Sequence, residues 1–264
     1  MTLFQDFENG SITLPQWSKL AESAGLNHID INRKCLGTMS LDEVRSQAEA
    51  CTLPFLMVST YSDFSNPEAE AREAAVKKAI EDMGYTRALG AQYIRLTAGQ
   101  YYEEQTDKEA ISRIYGCFEV AVKEAEKMGL KVLLENHSKP GAWRNPDFNF
   151  HQDRMLALWE SLKELPIGVN YDVANAYAVG NWQLLMKTFG DRIETVHLND
   201  LESLIPLRFC LVGKGIVNLK EQVKALKDMG FRGAFSLEEA GMEGRHGVIR
   251  AAGNVKRLLA KAGY

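Results

Sequence analysis

The chain has no excess of positive charge: 31 Lys and Arg stand against 35 Asp and Glu, for a formal net charge of −4. Without a basic footprint, neither nucleic acid nor an anionic membrane surface is the expected partner. No apolar run approaches the roughly 20 residues that span a bilayer. The stretch 1–10 lacks the basic-then-apolar layout of a secretion signal, so a cytoplasmic location is expected. Cysteine is scarce. Cys35, Cys51, Cys117 and Cys210 lie far apart with no paired spacing, which is neither a zinc-finger pattern nor a disulfide framework and fits a reducing compartment. Cys117, inside a helical stretch, reads as a small core residue. A glycine-rich first turn, which a doubly wound dinucleotide fold would bring, is missing too, as is any Pro/Gly/Ser-rich linker.

What is present is rhythm. Apolar residues make up 45% of the chain and charged residues 25%, ordinary globular values that leave ample material for a core. Strand-like runs are expected near 2–7, 28–31, 53–60, 93–97, 131–135, 168–172, 193–198 and 234–238, with helical stretches between them. Leu14, Trp17, Leu20 and Ala21 are spaced for one helix face, and Gly25 ends that helix. Ser40 is a candidate cap for the next helix, and Pro67 opens a long one, where its missing N–H costs nothing. Eight strand–helix units in 264 residues predict a single α/β domain over 1–264, a (β/α)8 TIM barrel.

The chemistry collects at the expected C-terminal ends of the strands, where barrels of this kind place their active sites. Lys131-Val-Leu-Leu-Glu-Asn-His137 runs from aliphatic residues straight into a carboxylate and an imidazole. Side-chain alternation puts Glu135 and His137 on one face, and a carboxylate facing a barrel interior is costly unless paired or coordinated. Three later strand ends supply partners: Asp172 in Gly168-Val-Asn-Tyr-Asp172, His197 in Thr195-Val-His-Leu-Asn-Asp200, and Glu238 in Phe235-Ser-Leu-Glu-Glu239. Two Glu, one Asp and one His suit one divalent cation. Carboxylates favour Mg2+ or Mn2+, and the imidazole moves the preference towards Mn2+, with Co2+ and Zn2+ also compatible.

The segments Leu133-Leu-Glu-Asn-His137, Gly168-Val-Asn-Tyr-Asp-Val-Ala-Asn175, Val196-His-Leu-Asn-Asp200 and Ser236-Leu-Glu-Glu239 resemble those of the xylose isomerase-like barrels. Within these the chain is similar to the sugar phosphate isomerase/epimerase branch, whose members include D-tagatose/D-psicose 3-epimerases, hydroxypyruvate isomerases and inosose dehydratases. The Gly213-Lys-Gly-Ile-Val-Asn-Leu219 turn resembles that branch as well. The resemblance implies Glu135, Asp172, His197 and Glu238 as metal ligands, with Glu135 and Glu238 doubling as the catalytic acid/base pair. The implied substrate is a small carbohydrate.

The chain departs from the epimerase pattern in two places. Asn175 stands where those enzymes carry a histidine, and Asp200-Leu-Glu-Ser203 stands where they carry an arginine, with Arg208 the nearest replacement. The resemblance to DNA-repair endonucleases of the same superfamily is weaker, because their trinuclear zinc site needs more histidines than the five found here.

Around the four ligands, His137, Asn175, Arg208 and Lys214 are candidate substrate contacts, and Trp143, Trp182, Phe148 and Phe150 candidate pocket walls. Arg95 alternates with Ile94 and Leu96, but a strand covered on both faces does not reveal which side it takes. Three functional expectations follow: an isomerase or epimerase acting through an enediolate, a lyase using the same proton abstraction, or a barrel that kept the fold as a binding or partner subunit. Outer helices of such barrels often pair, which leaves a homodimer open.

Overall fold

Seven parallel strands follow one another around a single curled sheet in the computed structural model, which describes residues 3–138 and 143–264. They are β1 (Ile29–Asn32), β2 (Phe55–Ser59), β3 (Tyr93–Leu96), β4 (Lys131–Glu135), β5 (Gly168–Asp172), β6 (Ile193–Leu198) and, after a hairpin, β9 (Ala234–Leu237). The hairpin pairs β7 (Asp200–Leu204) with β8 (Leu207–Cys210), antiparallel. Helices connect the sheet strands, and the architecture is the TIM barrel. The barrel is nearly closed: His28 Nε2 and Ser236 Oγ meet at 3.2 Å, joining the approach to β1 with β9.

The strand expected at 2–7 is a correction. Phe4–Glu8 is a short helix, and the sheet has seven strands among the described residues, not eight. A barrel strand is covered on both faces and needs a near-continuous apolar run, which Phe4-Gln5-Asp6-Phe7 does not offer. Leu3 and Ile12 instead pack with Val248 of the last helix. The hairpin and the helix Val173–Ala178 also lack a counterpart in the sequence reading.

Helix starts follow local chemistry. Thr13/Gln16, Ser40/Glu43 and Thr106/Glu109 form reciprocal capping boxes opening Leu14–Ser23, Leu41–Glu49 and Asp107–Lys127, so the Ser40 cap is found as expected. Strand alternation then sorts the side chains. Ile94 and Leu96, Val132 and Leu134, Val169 and Tyr171, and Val196 and Leu198 join the buried layer between sheet and helices. Residues of the opposite phase, Arg95, Glu135, Asn170, Asp172, Thr195 and His197, are left to the barrel interior, all buried. No helix among the described residues is long and apolar enough to cross a membrane.

Asp200 ties the hairpin to the loop that precedes the helix Leu219–Asp228. Its carboxylate accepts the backbone N–H groups of Leu201, Gly213, Gly215 and Val217 at 2.9–3.1 Å. Gly215 has to be glycine, since a Cβ there would collide with the Leu201 carbonyl and the Asp200 carboxylate. Asp200 is 1% exposed, so its removal strands several donors. Asp200→Ala is expected to lower stability by roughly 2–4 kcal/mol. Denaturant titration followed by circular dichroism measures this, and a loss near zero would contradict the assigned role.

Candidate metal centre

Parallel register brings the predicted ligands into one layer. Glu135 pairs with Asn170 across β4 and β5, and Asp172 pairs with His197 across β5 and β6. Glu238 follows directly on β9, where its N–H donates to the Leu198 carbonyl at 3.0 Å. Ligand atoms of Glu135, Asp172 and His197 all lie within 4.8 Å of one another, and all three residues are buried. Glu238 lies beside this group at the rim and outside it: its Oε2 is 3.6 Å from His197 Nδ1, and its side chain is 18% exposed. Glu135 Oε2 lies 3.8 Å from the same nitrogen.

The donors fit a cation. His197 Nδ1 is buried and has no hydrogen-bond partner, yet it faces two carboxylate groups. Metal–oxygen and metal–nitrogen bonds of about 2.0–2.2 Å place donor pairs roughly 3–4.5 Å apart, the range of the two carboxylate distances from His197 Nδ1. Burial alone would hold the His197 imidazole below its ordinary value of 6.5, but Asp30, Glu135 and Glu238 outweigh it and raise the pKa.

Each anion is held by groups that do not titrate near neutrality. Glu135 Oε2 pairs with Arg95 Nε at 2.9 Å and accepts from Asn170 Nδ2 at 3.1 Å. Asn175 Nδ2 is 3.5 Å from Glu135 Oε1. The Arg95 guanidinium also donates to the Thr60 carbonyl at 2.9 Å and lies over the Tyr61 ring, 5.1 Å from its centre. Burial opposes its charge, but Glu135, Tyr61 and Glu238 prevail and raise its pKa, so Arg95 stays cationic. Asn199 Nδ2 bridges Asp172 Oδ2 at 2.7 Å and Glu238 Oε2 at 3.0 Å. Asp172 also accepts the Asn175 N–H at 2.7 Å, capping the helix Val173–Ala178.

The second-tier candidates divide. Asn175 and His137 are buried at the site; His137 Nδ1 lies 2.8 Å from Asp147 Oδ1, which also accepts from Trp143 Nε1 at 2.9 Å. Tyr61 packs edge-on against both rings. Trp143 therefore packs beside the His137–Asp147 pair, whereas Phe148 and Trp182 belong to the apolar core. Arg208 is exposed on β8 opposite Ser203, and Lys214 is exposed on its loop; among the described residues neither is ion-paired to the ligands.

Four participants escaped the sequence reading. Asp30 and Asn170 were accessible through strand alternation, in phase with His28 and Asp172 respectively. Asn199 sits inside the Val196-His-Leu-Asn-Asp200 segment, two residues after His197. Asp147 carries no local signal, since only the fold brings it to His137.

A buried carboxylate–imidazole cluster that could hold a metal ion lies at the C-terminal end of a parallel TIM barrel. The sequence profile of the xylose isomerase-like TIM barrel family matches residues 18–258, and the chain belongs to that family. A probable endonuclease 4 of Campylobacter concisus (strain 13826) is 26% identical over 199 residues, 70% of this chain. That match spans 64% of the relative, less than two thirds of its length.

Solved structures share the fold at low identity. An IolI protein with a bound zinc atom superposes with TM-score 0.79 at 18% identity, covering 97% of both chains. A D-tagatose 3-epimerase-like protein gives TM-score 0.75 at 16% identity, with 94% of this chain and 93% of that one covered. The probable 3-DHS dehydratase AsbF of Bacillus anthracis gives 0.71 at 16%, with 93% and 94% covered.

Two outcomes test the centre. Arg95→Leu strands the buried Glu135 charge and is expected to cost about 3–5 kcal/mol in the metal-free protein, measured by chemical denaturation. Protons compete with the cation for His197, and because its pKa is raised, the competition starts above pH 6.5. Isothermal titration with Mn2+ or Zn2+ should show affinity falling as pH drops through the raised His197 pKa, approaching about tenfold per unit below it for one displaced proton. Affinity independent of pH between 8 and 6 would remove His197 from the ligand set.

Proposed function

We propose that the protein is a divalent-metal-dependent enzyme that moves a proton beside the carbonyl of a small keto- or hydroxy-sugar, as an isomerase or epimerase. The observation that carries this reading is the pair of unlike carboxylates flanking His197: Glu135, buried and tied to Arg95, and Glu238, at the rim. The family match and the epimerase-like fold relatives support it.

Glu135, Asp172, His197 and Glu238 would hold the cation, with Mn2+ the preferred ion and Mg2+, Co2+ or Zn2+ alternatives. Bound there, it would polarise a substrate carbonyl and stabilise the negative charge that forms. Glu238, with solvent on one side and Asn199 on the other, takes the proton from the carbon next to the carbonyl and returns it. Glu135, held as an anion by Arg95 and Asn170, serves as a ligand more readily than as the second base. A stereochemical exchange between two bases is thus less well provided for than a transfer managed by one.

One observation favours a lyase as the second reading. The His137–Asp147 pair resembles an oriented acid: Asp147 occupies Nδ1, while Nε2 is buried without a hydrogen-bond partner. A proton delivered from that ring to a hydroxyl β to the carbonyl would turn the same abstraction into elimination. The dehydratase relative is compatible with this outcome. Action on DNA is not the reading we favour, despite the endonuclease-named relative, because the net charge is −4 and one three-ligand metal group is found among the described residues.

Incubation with keto-sugars and cyclitol ketones in D2O tests the reading. Deuterium entering at the carbon beside the carbonyl without change in composition marks an isomerase or epimerase, and loss of water marks a lyase. Glu238→Gln should slow exchange by about 10²–10⁴-fold. Exchange unaffected by Glu238→Gln, or cleavage of an abasic-site oligonucleotide in place of sugar turnover, would overturn the proposal.

A further inference from the structure

The carboxylate of Asp30 is an unexplained expense inside the barrel. Its side chain is 12% exposed, and both oxygens are buried without a hydrogen-bond donor. It lies on β1, whose flanking Ile29 and Ile31 pack outward against Leu14, Ala21 and Leu36, so Asp30 faces the interior. The ion pair that the described residues give it is with His197 Nε2, at 3.5 Å. That distance is ion-pair range, at the outer edge of a hydrogen bond. The opposite ring nitrogen, Nδ1, is the one that faces Glu135 and Glu238.

We propose that Asp30 is a positioning residue for the metal centre: it holds the Nε2–H tautomer of His197, so that the Nδ1 lone pair points at the cation. The inference rests on the metal reading above. An imidazole offers a lone pair on one nitrogen only when its proton sits on the other, and a carboxylate beside that second nitrogen selects this state and fixes the ring plane. It also increases the ring's donor strength. Asp30 belongs to the opposite end of the chain from the four ligands and reaches them across the seam where β9 separates β1 from β6. Substrate binding alone gives no reason for an acid there, since its oxygens are buried against the ring.

The test measures cation binding, not turnover. Competition with a chromophoric chelator gives the Co2+ and Zn2+ dissociation constants of wild type, Asp30→Asn and Asp30→Leu, and the visible bands of the Co2+ form report its coordination. Asp30→Leu should bind about 10–100-fold more weakly with altered Co2+ bands. Asp30→Asn, whose carbonyl oxygen still accepts from Nε2–H, should fall between it and wild type. A folded Asp30→Leu with wild-type affinity and spectrum overturns the proposal. If that variant does not fold, Asp30→Asn carries the test, and wild-type values for both affinity and spectrum overturn it. Wild-type protein that binds neither ion would overturn the metal reading and this inference together, whereas wild-type binding with unaffected Asp30 variants overturns this inference alone.

Discussion

Burying several carboxylates around one imidazole is the constraint on which the arrangement of the barrel mouth depends. An ionised carboxylate taken from water into a low-dielectric interior loses several kcal/mol even after relaxation, and like charges a few ångströms apart add to the cost. Glu135 and Asp172 are both fully buried. The compensation is visible residue by residue. Arg95 meets Glu135, Asn199 spans Asp172 and Glu238, and backbone N–H groups cap Asp172 and Asp200. Asn136 secures the strand ends themselves, accepting from the Asp172 N–H and donating to its carbonyl, at 2.8 and 2.9 Å.

Carboxamides dominate this compensation, and the choice has a consequence. Asn170, Asn175 and Asn199 donate to the carboxylates without adding charge, so they orient anions without neutralising them. A ring of lysines would have stabilised the apo site and repelled a cation. The carboxamides hold the oxygens in position while leaving the electrostatic field of the site attractive to a metal ion. Arg95 is the exception, and its place at Glu135 makes that carboxylate unlike Glu238.

The sequence discloses this layout unevenly. Glu135, Asp172, His197 and Glu238 are legible because period-2 alternation and apolar runs identify strand ends, and parallel strands bring their ends to one face. Arg95 shows the limit of the same reasoning. In a parallel barrel both faces of a strand are covered, so hydrophobic alternation loses its contrast, and only the structure shows Ile94 and Leu96 against the helices and Arg95 inside. Phe4–Glu8 fails for a different reason: a strand was expected from the rhythm of eight units, where local composition favoured something shorter and more polar. Asp147 depends on the fold that brings it to His137, whereas the β7–β8 hairpin is local but lacks the Asn-Gly or Asp-Gly turn that marks a tight hairpin in a sequence.

The asymmetry between the two glutamates bears on chemistry more than either residue does alone. A base that exchanges protons must be able to exist in both forms at similar cost, and hydrogen bonds made only to the anion remove that freedom. Glu135 receives such bonds from Arg95 and Asn170 deep inside the barrel, whereas Glu238 sits nearer the rim, its side chain 18% exposed, and shares the donor Asn199 with Asp172. Asn175, 3.5 Å from Glu135, brings no titratable group to that carboxylate, and His137 is tethered by Asp147. In the proposed reaction, proton transfer then falls to the rim glutamate, while the deep carboxylate, held by Arg95 and Asn170, keeps its charge in place.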